Sequence, residues 1–169
     1  VVDKYTAKVT LKNPSSAFII NMVDHLYIGG NETTTFALTS TLWLMLSHAE
    51  SYQAVLAEPS KVKNMVEEGL RCESPTMGMV RNAIIDTEVG GVKIPKGSNL
   101  HLRYAAGNRD ERMFKCPAEF DISRSNAPRH MAFSLGETHC TGAGLSRLEQ
   151  VQDDKARAAL LSELLPLLE

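Results

Sequence analysis

Phe133-Ser134-Leu135-Gly136-Glu137-Thr138-His139-Cys140-Thr141-Gly142 sets one cysteine at the point where a loop gives way to a helix. A helix start carries partial positive charge and unpaired N–H groups, and both favour a thiolate over a thiol. The thiolate is the form that ligates a metal. Gly136 and Gly142 let backbone pass close to a flat group, and Phe133 is placed to cover the sulfur. A buried, inert cysteine is the competing reading, and it is the ordinary fate of a lone one.

Working outward, the final helix is expected to begin near Cys140 and to run through Leu145, Leu148, Leu160, Leu161 and Leu164. Upstream, residues 105–139 read as one long loop, punctuated by Asn108, Pro117, Asn126, Pro128 and Gly136. A loop of that length inside a compact domain argues for function. Before it, Met79 to Ile85, Glu88 to Ile94 and Asn99 to Tyr104 carry strand signals, separated by Gly90-Gly91 and Pro95-Lys96-Gly97.

The first half is helical in pattern. Ser15 or Ser16 can cap a helix reaching about Leu46, with apolar residues at Phe18, Ile19, Met22, Val23, Leu26, Phe36, Leu38, Leu42 and Met45. At 1.5 Å per residue it is roughly 45 Å long. A short helix from about Glu50 to Ala57 stops at Pro59, and another runs from Ser60 to about Glu73. The long helix contains Gly29-Gly30-Asn31-Glu32-Thr33-Thr34-Thr35, where six of seven residues are poor helix formers. Gly29 and Gly30 clear space for a bulky or flat group. Thr33 lies on their face, and Glu32 sets an acid beside its hydroxyl as a path for protons. A kinked helix whose threonines bond back to the preceding turn is the alternative. Glu68 and Arg71, three apart, can pair on one helix face; alone they read equally as a solvated surface pair.

Composition is ordinary: 43% hydrophobic, 22% charged, net charge −2 over 169 residues. It favours neither a nucleic-acid nor a membrane-surface binder. Cys72, Cys116 and Cys140 are odd in number and widely spaced, so neither a disulfide framework nor a zinc pattern follows, and a cytoplasmic setting is expected. The apolar stretch Phe18 to Leu46 is interrupted by Asn21, Asp24, Asn31 and Glu32, so it reads as a buried helix and not a membrane span. Val1 is not methionine and Glu169 ends a helical run, so residues 1–169 are expected to be a single-domain fragment, truncated at both ends.

Taken in order and at these separations, the segments resemble the cytochrome P-450 family, in its soluble bacterial form. Gly29 to Thr34 resembles the oxygen-activating part of the long central helix, Glu68-Gly69-Leu70-Arg71 the E-x-x-R pair, and Phe133 to Gly142 the loop F-x-x-G-x-x-x-C-x-G. Connecting segments agree: Glu73-Ser74-Pro75, Val92 to Gly97, Ala106 to Asp110, Phe120-Asp121 and Leu145 to Glu149. The resemblance covers about residues 18 to 150. It implies a mainly α fold with a small β portion: long central helix, buttress helix, short strands, meander, cysteine loop and final helix. It further implies haem b (iron protoporphyrin IX) bound to Cys140, with Phe133, Gly136, Gly142, Gly29 and Gly30 around the ring. Arg81 and His130 match positions that contact propionates in relatives; a solvated strand arginine and a core histidine are the other readings. Glu68 and Arg71 would buttress the cysteine loop, while Thr33 and Glu32 would guide protons to dioxygen. The implied reaction is monooxygenation of a small organic substrate by a monomer, off the membrane and away from nucleic acid. Electrons would come from a ferredoxin- or flavodoxin-type donor and its reductase, and ultimately from NAD(P)H.

This stretch alone would be inactive, since the helices that precede the central one in the family are not in it. A non-catalytic fragment is therefore one rival. An isomerase or dehydratase of the same family is another, against which Glu32-Thr33 argues. Ser134, Thr138, Thr141 and Gly144 depart from the usual glycine, basic residue, apolar residue and proline. His139 stands one position late for the basic one, and Glu119 falls where a basic partner of the Glu–Arg pair is expected.

Overall fold

A computed structural model describes residues 16–152, with side chains described from residue 29 onward. The elements are α1 (Ser16–Ser47), α2 (Ala49–Ala57), α3 (Val62–Cys72), β1 (Met79–Asn82), β2 (Thr87–Val89), β3 (Val92–Ile94), β4 (Asn99–Leu102), α4 (Tyr104–Gly107) and a last helix, α5, over 143–152. Leu160, Leu161 and Leu164 lie outside the described residues. Two units are distinguished, 1–32 and 33–169. In the first, α1 is helical from Ser16 through Glu32. In the second, the rest of α1, α2, α3 and Phe120 and Ile122 share one core, against which Phe133 and, from α5, Val151 pack. The fold is mainly helical with a few short strands, as expected.

That core follows from periodicity. Ala37, Leu44 and Met45 on α1 meet Val62, Met65, Val66 and Leu70 on α3, with Tyr52 and Val55 of α2 closing it together with Phe120 and Ile122 of the meander, the loop over 108–126 that follows α4. Spacings of three and four put each set on one helix face, and burying each large side chain stabilises by about 1.5–3 kcal/mol. The two long helices approach closely at Gly69. A Cβ there would lie 2.5 Å from Thr41 Oγ1 and 2.9 Å from its Cγ2. Thr41 Oγ1 is itself buried without a hydrogen-bond partner. Gly69→Ala is thus expected to lower stability by about 1–3 kcal/mol. Thr41→Ala should be nearly neutral alone and should restore most of the loss in the double variant. Thermal denaturation of the four proteins checks this, and additive effects would contradict the contact.

Strand signals resolve into two antiparallel pairs. β1 pairs with β4, Met79 opposite Leu102. The stretch expected as one strand, Glu88 to Ile94, is instead the hairpin β2–β3, Val89 opposite Val92. Gly90 and Gly91 have φ of 58° and 81°, the left-handed pair that a two-residue hairpin turn requires. Tyr104, expected at a strand end, begins α4 and is buried, because its phenol is drawn inward to Ser134. The long loop is confirmed over most of 105–139, apart from α4 and short 3-10 turns at Ala127–Arg129 and Gly136–Thr138.

Candidate functional site

Cys140 lies three residues before α5, exposed, and its Sγ takes part in no hydrogen bond among the described residues. Its backbone is nevertheless tethered. Cys140 N–H donates to Phe133 O at 2.8 Å, folding the segment into a closed loop, and Cys140 O accepts from Ala143 N–H at the start of α5. Gly136 adopts φ 66°, which an L side chain resists, and a Cβ there would meet nothing. A Cβ at Gly142 would touch Cys140 Sγ at 3.8 Å, an ordinary contact.

Ser134, which departs from the family's glycine, does adopt the left-handed backbone, with φ 60°. That conformation is strained for serine, and hydrogen bonds offset the strain. Tyr104 Oη donates to Ser134 Oγ at 3.0 Å, which leaves the Ser134 proton for Thr138 Oγ1 at 3.1 Å; Thr138 in turn donates to Leu135 O. Two departures from the family pattern therefore complete one relay of hydroxyls that braces the loop.

Glu68 and Arg71 are fully buried. Arg71 Nε and Nη2 donate to the two Glu68 oxygens at 2.8 Å each, and the remaining N–H groups reach the carbonyls of Asn108, Pro117 and Glu119. The solvated-surface alternative is thereby excluded. Burial opposes the Arg71 charge, but the hydrogen bonds and charge of Glu68 outweigh it and raise its pKa. The basic partner is Arg124, which the sequence reading missed in favour of position 119. Arg124 Nε donates to Glu68 Oε1 at 3.0 Å, and its other nitrogens reach the carbonyls of Lys115, Cys116 and Glu119. Residue 119 contributes only its carbonyl to this cluster. Burial pushes the neighbouring Cys72 thiol up to about 11, partly offset by Arg71, so it stays protonated and inert.

Glu68 and Arg71 grip the meander, and their link to the cysteine segment runs through Asn108, whose Oδ1 accepts Met131 N–H at 2.6 Å. The side chain of α3 that reaches the cysteine segment's flanks is Glu67, which the sequence reading passed over. Its oxygens accept from Arg147 Nε, from Arg147 Nη2 at 3.1 Å and from His130 Nε2 at 3.1 Å. Burial would raise the Glu67 pKa, but hydrogen bonds from His130 and Arg147 hold it at about 2. His130 is buried, and Nδ1 accepts Ala132 N–H at 3.1 Å. Both ring nitrogens thus have partners within the protein, the arrangement of the core-histidine reading.

Arg81 on β1 is half-buried, its Nη1 directed at Val80 O. On α1 the helix is continuous through Gly29 to Thr35, so the poor helix formers do not break it. Gly29, Gly30 and Glu32 are exposed, and a Cβ on either glycine would meet nothing. Thr33 is exposed; Thr34 is buried and donates to Ser146 Oγ of α5 at 3.3 Å. This contact brings the Thr33 end of α1's second part against the helix that Cys140 precedes.

Among the described residues no three His, Cys, Asp or Glu side chains could together hold a metal ion. One exposed thiol suits only a metal that arrives with most of its ligands already in place, as in a haem. Haem therefore fits the donor set, and Cys140 would be the residue to hold it. Among the described residues no helix is long and apolar enough to cross a membrane.

Comparison with known proteins leads to the same place. The cytochrome P450 family pattern matches residues 3–151. The biotin biosynthesis cytochrome P450 of Bacillus subtilis is 37% identical over 142 residues, 84% of this chain and 34% of that protein. Linalool 8-monooxygenase of Pseudomonas putida is 34% identical over 122 residues, 72% of this chain and 30% of that one. The solved structure of Mycobacterium marinum CYP150A6 superposes with a TM-score of 0.80 at 32% identity, covering 84% of this chain and 35% of its own. The chain spans 28% or 30% of the length of the mycobacterial relatives it matches and 38% of a Bacillus subtilis P450 structure. With the matched region, the helical core and the lone tethered cysteine in agreement, the chain belongs to the cytochrome P450 family.

Proposed function

We propose that this chain carries the thiolate side of a haem monooxygenase acting on a small organic substrate. The observation that carries the reading is Cys140, its sulfur exposed and unengaged while its backbone is tethered to Phe133 and α5. Haem, when bound, would supply the activation of dioxygen and the transfer of one oxygen atom to the substrate. The chain's own part is to present the sulfur, to hold the loop against recoil and to handle protons. Phe133 O and the Tyr104–Ser134–Thr138 relay keep the Cys140 backbone in place, and Gly136 and Gly142 keep side chains off the approach. The Glu68–Arg71–Arg124 cluster holds the meander from which the segment springs. Electrons would come singly from a ferredoxin- or flavodoxin-type donor and its reductase, drawing on NAD(P)H. The test is to load the protein with iron protoporphyrin IX, reduce it and add carbon monoxide. The absorption of a thiolate-ligated haem is expected, and its absence would favour a non-catalytic chain.

Thr33 and Glu32 are the proposed proton carriers, Glu32 exchanging with solvent and Thr33 holding a proton on its hydroxyl. General acid–base help of this kind is worth about 10²–10⁴ in rate. Thr33→Ala is expected to leave haem and substrate binding nearly intact and to lower product formed per NAD(P)H, with peroxide rising. Unchanged coupling with a stability loss of about 1 kcal/mol would reduce Thr33 to a structural hydroxyl.

A further inference from the structure

Consecutive residues on a helix point about 100° apart. Glu67 and Glu68 therefore cannot serve the same wall, and the structure shows that they do not. Glu68 spends its oxygens on Arg71, Arg124 and the Asp121 N–H, all tied to the meander. Glu67 spends its oxygens on His130 and Arg147. Those two residues stand on either side of the cysteine segment, one before Phe133 and one after Gly142, so a single carboxylate pins both flanks to one point on α3.

We propose that Glu67, acting through His130 and Arg147, is the positioning residue that seats Cys140, a task separate from the meander grip of Glu68 and Arg71. Its consequence for haem rests on the haem-thiolate reading above; the clamp itself does not. The connection is short. The Arg147 guanidinium lies 4.6 Å from the Phe133 ring centroid, and the His130 ring lies 5.7 Å from it. Phe133 O then holds Cys140 N–H at 2.8 Å. A shift of Arg147 or His130 therefore moves the ring, and with it the carbonyl that fixes the cysteine backbone. The Glu67 side chain is 14% exposed and that of His130 is 1% exposed, so water competes weakly for the His130 bond, while Arg147, at 32%, is reached from one side. A two-point carboxylate–guanidinium contact also carries directional information that a single bond lacks.

The test is amide hydrogen exchange in Glu67→Gln and Arg124→Gln, read residue by residue. Losing charge-assisted hydrogen bonds should favour local opening by at least about tenfold. Glu67→Gln is expected to accelerate exchange at Cys140 and Ser134 by that factor while Asp121 and Phe114 keep their protection. Arg124→Gln should do the reverse. Should Glu67→Gln fail to fold, Arg147→Lys, which keeps the charge but not the two-point grip, is read in the same way. In the haem-loaded, reduced and CO-bound protein, the thiolate-type spectrum should convert to the non-thiolate form at least about tenfold faster in the clamp variant, because the same local opening releases the sulfur. Unchanged exchange at Cys140, or equal acceleration at all four amides, would overturn the clamp. A wild-type protein that shows the exchange pattern but no thiolate spectrum would instead sink the monooxygenase reading and leave the clamp standing.

Discussion

Cys140→Ala is expected to abolish the reduced, CO-bound absorption of thiolate haem, whereas Cys72→Ala and Cys116→Ala leave it in place. Three arguments converge on Cys140. Cys72 is buried beside Glu68 and Arg71, its thiol held protonated by burial, so it offers no thiolate. Cys116 is exposed but sits in the meander at φ 48°, its carbonyl accepting from Arg124. Only Cys140 combines an exposed, unengaged sulfur with a backbone tethered to the first turn of a helix three residues on. The effect should be total in the spectrum and small in the fold, because an exposed side chain contributes little packing. Haem titration followed by reduction under carbon monoxide measures the first, and thermal denaturation the second. A surviving thiolate spectrum would move the ligand elsewhere.

Arg71→Ala is expected to yield little or no haem-loaded protein. The guanidinium is fully buried, pairs with Glu68 and satisfies the carbonyls of Asn108, Pro117 and Glu119. Removing it leaves one buried carboxylate with reduced compensation, at about 3–5 kcal/mol, and strands the carbonyls of Asn108 and Pro117 as well, while that of Glu119 keeps Arg124. Against a total stability of about 5–15 kcal/mol, that loss unseats the meander and removes the Asn108 bridge to Met131. Arg71→Lys should rescue poorly, since an ammonium cannot reproduce the fork. Haem bound per chain and the thermal midpoint report the outcome. Normal loading in Arg71→Ala would show that the meander is held by Arg124 without its partner.

Helix periodicity, the strand signals and the cysteine segment were legible because each is local: spacing, turn residues and a glycine pattern lie within a few positions of one another. The hairpin was hidden at first only because Gly90-Gly91 was read as punctuation between strands and not as the turn inside one of the segments. Position 119 misled because alignment by motif places a residue, whereas a buried charge is compensated by whichever cation can reach it. Arg124 reaches Glu68 across the folded meander from 56 residues away in sequence.

By itself, the order of residues decided the mainly helical plan and the family, since local pattern and covalent order suffice for those. Tertiary structure alone decided which carboxylate serves which wall. Glu67 and Glu68 are chemically identical neighbours, and only their different facings on α3 separate a meander grip from a clamp on the cysteine segment. The same holds for Ser134, which departs from the family's glycine. Its left-handed backbone is sustained because Tyr104 and Thr138, distant or differently placed in sequence, arrive within hydrogen-bond reach once the chain has folded.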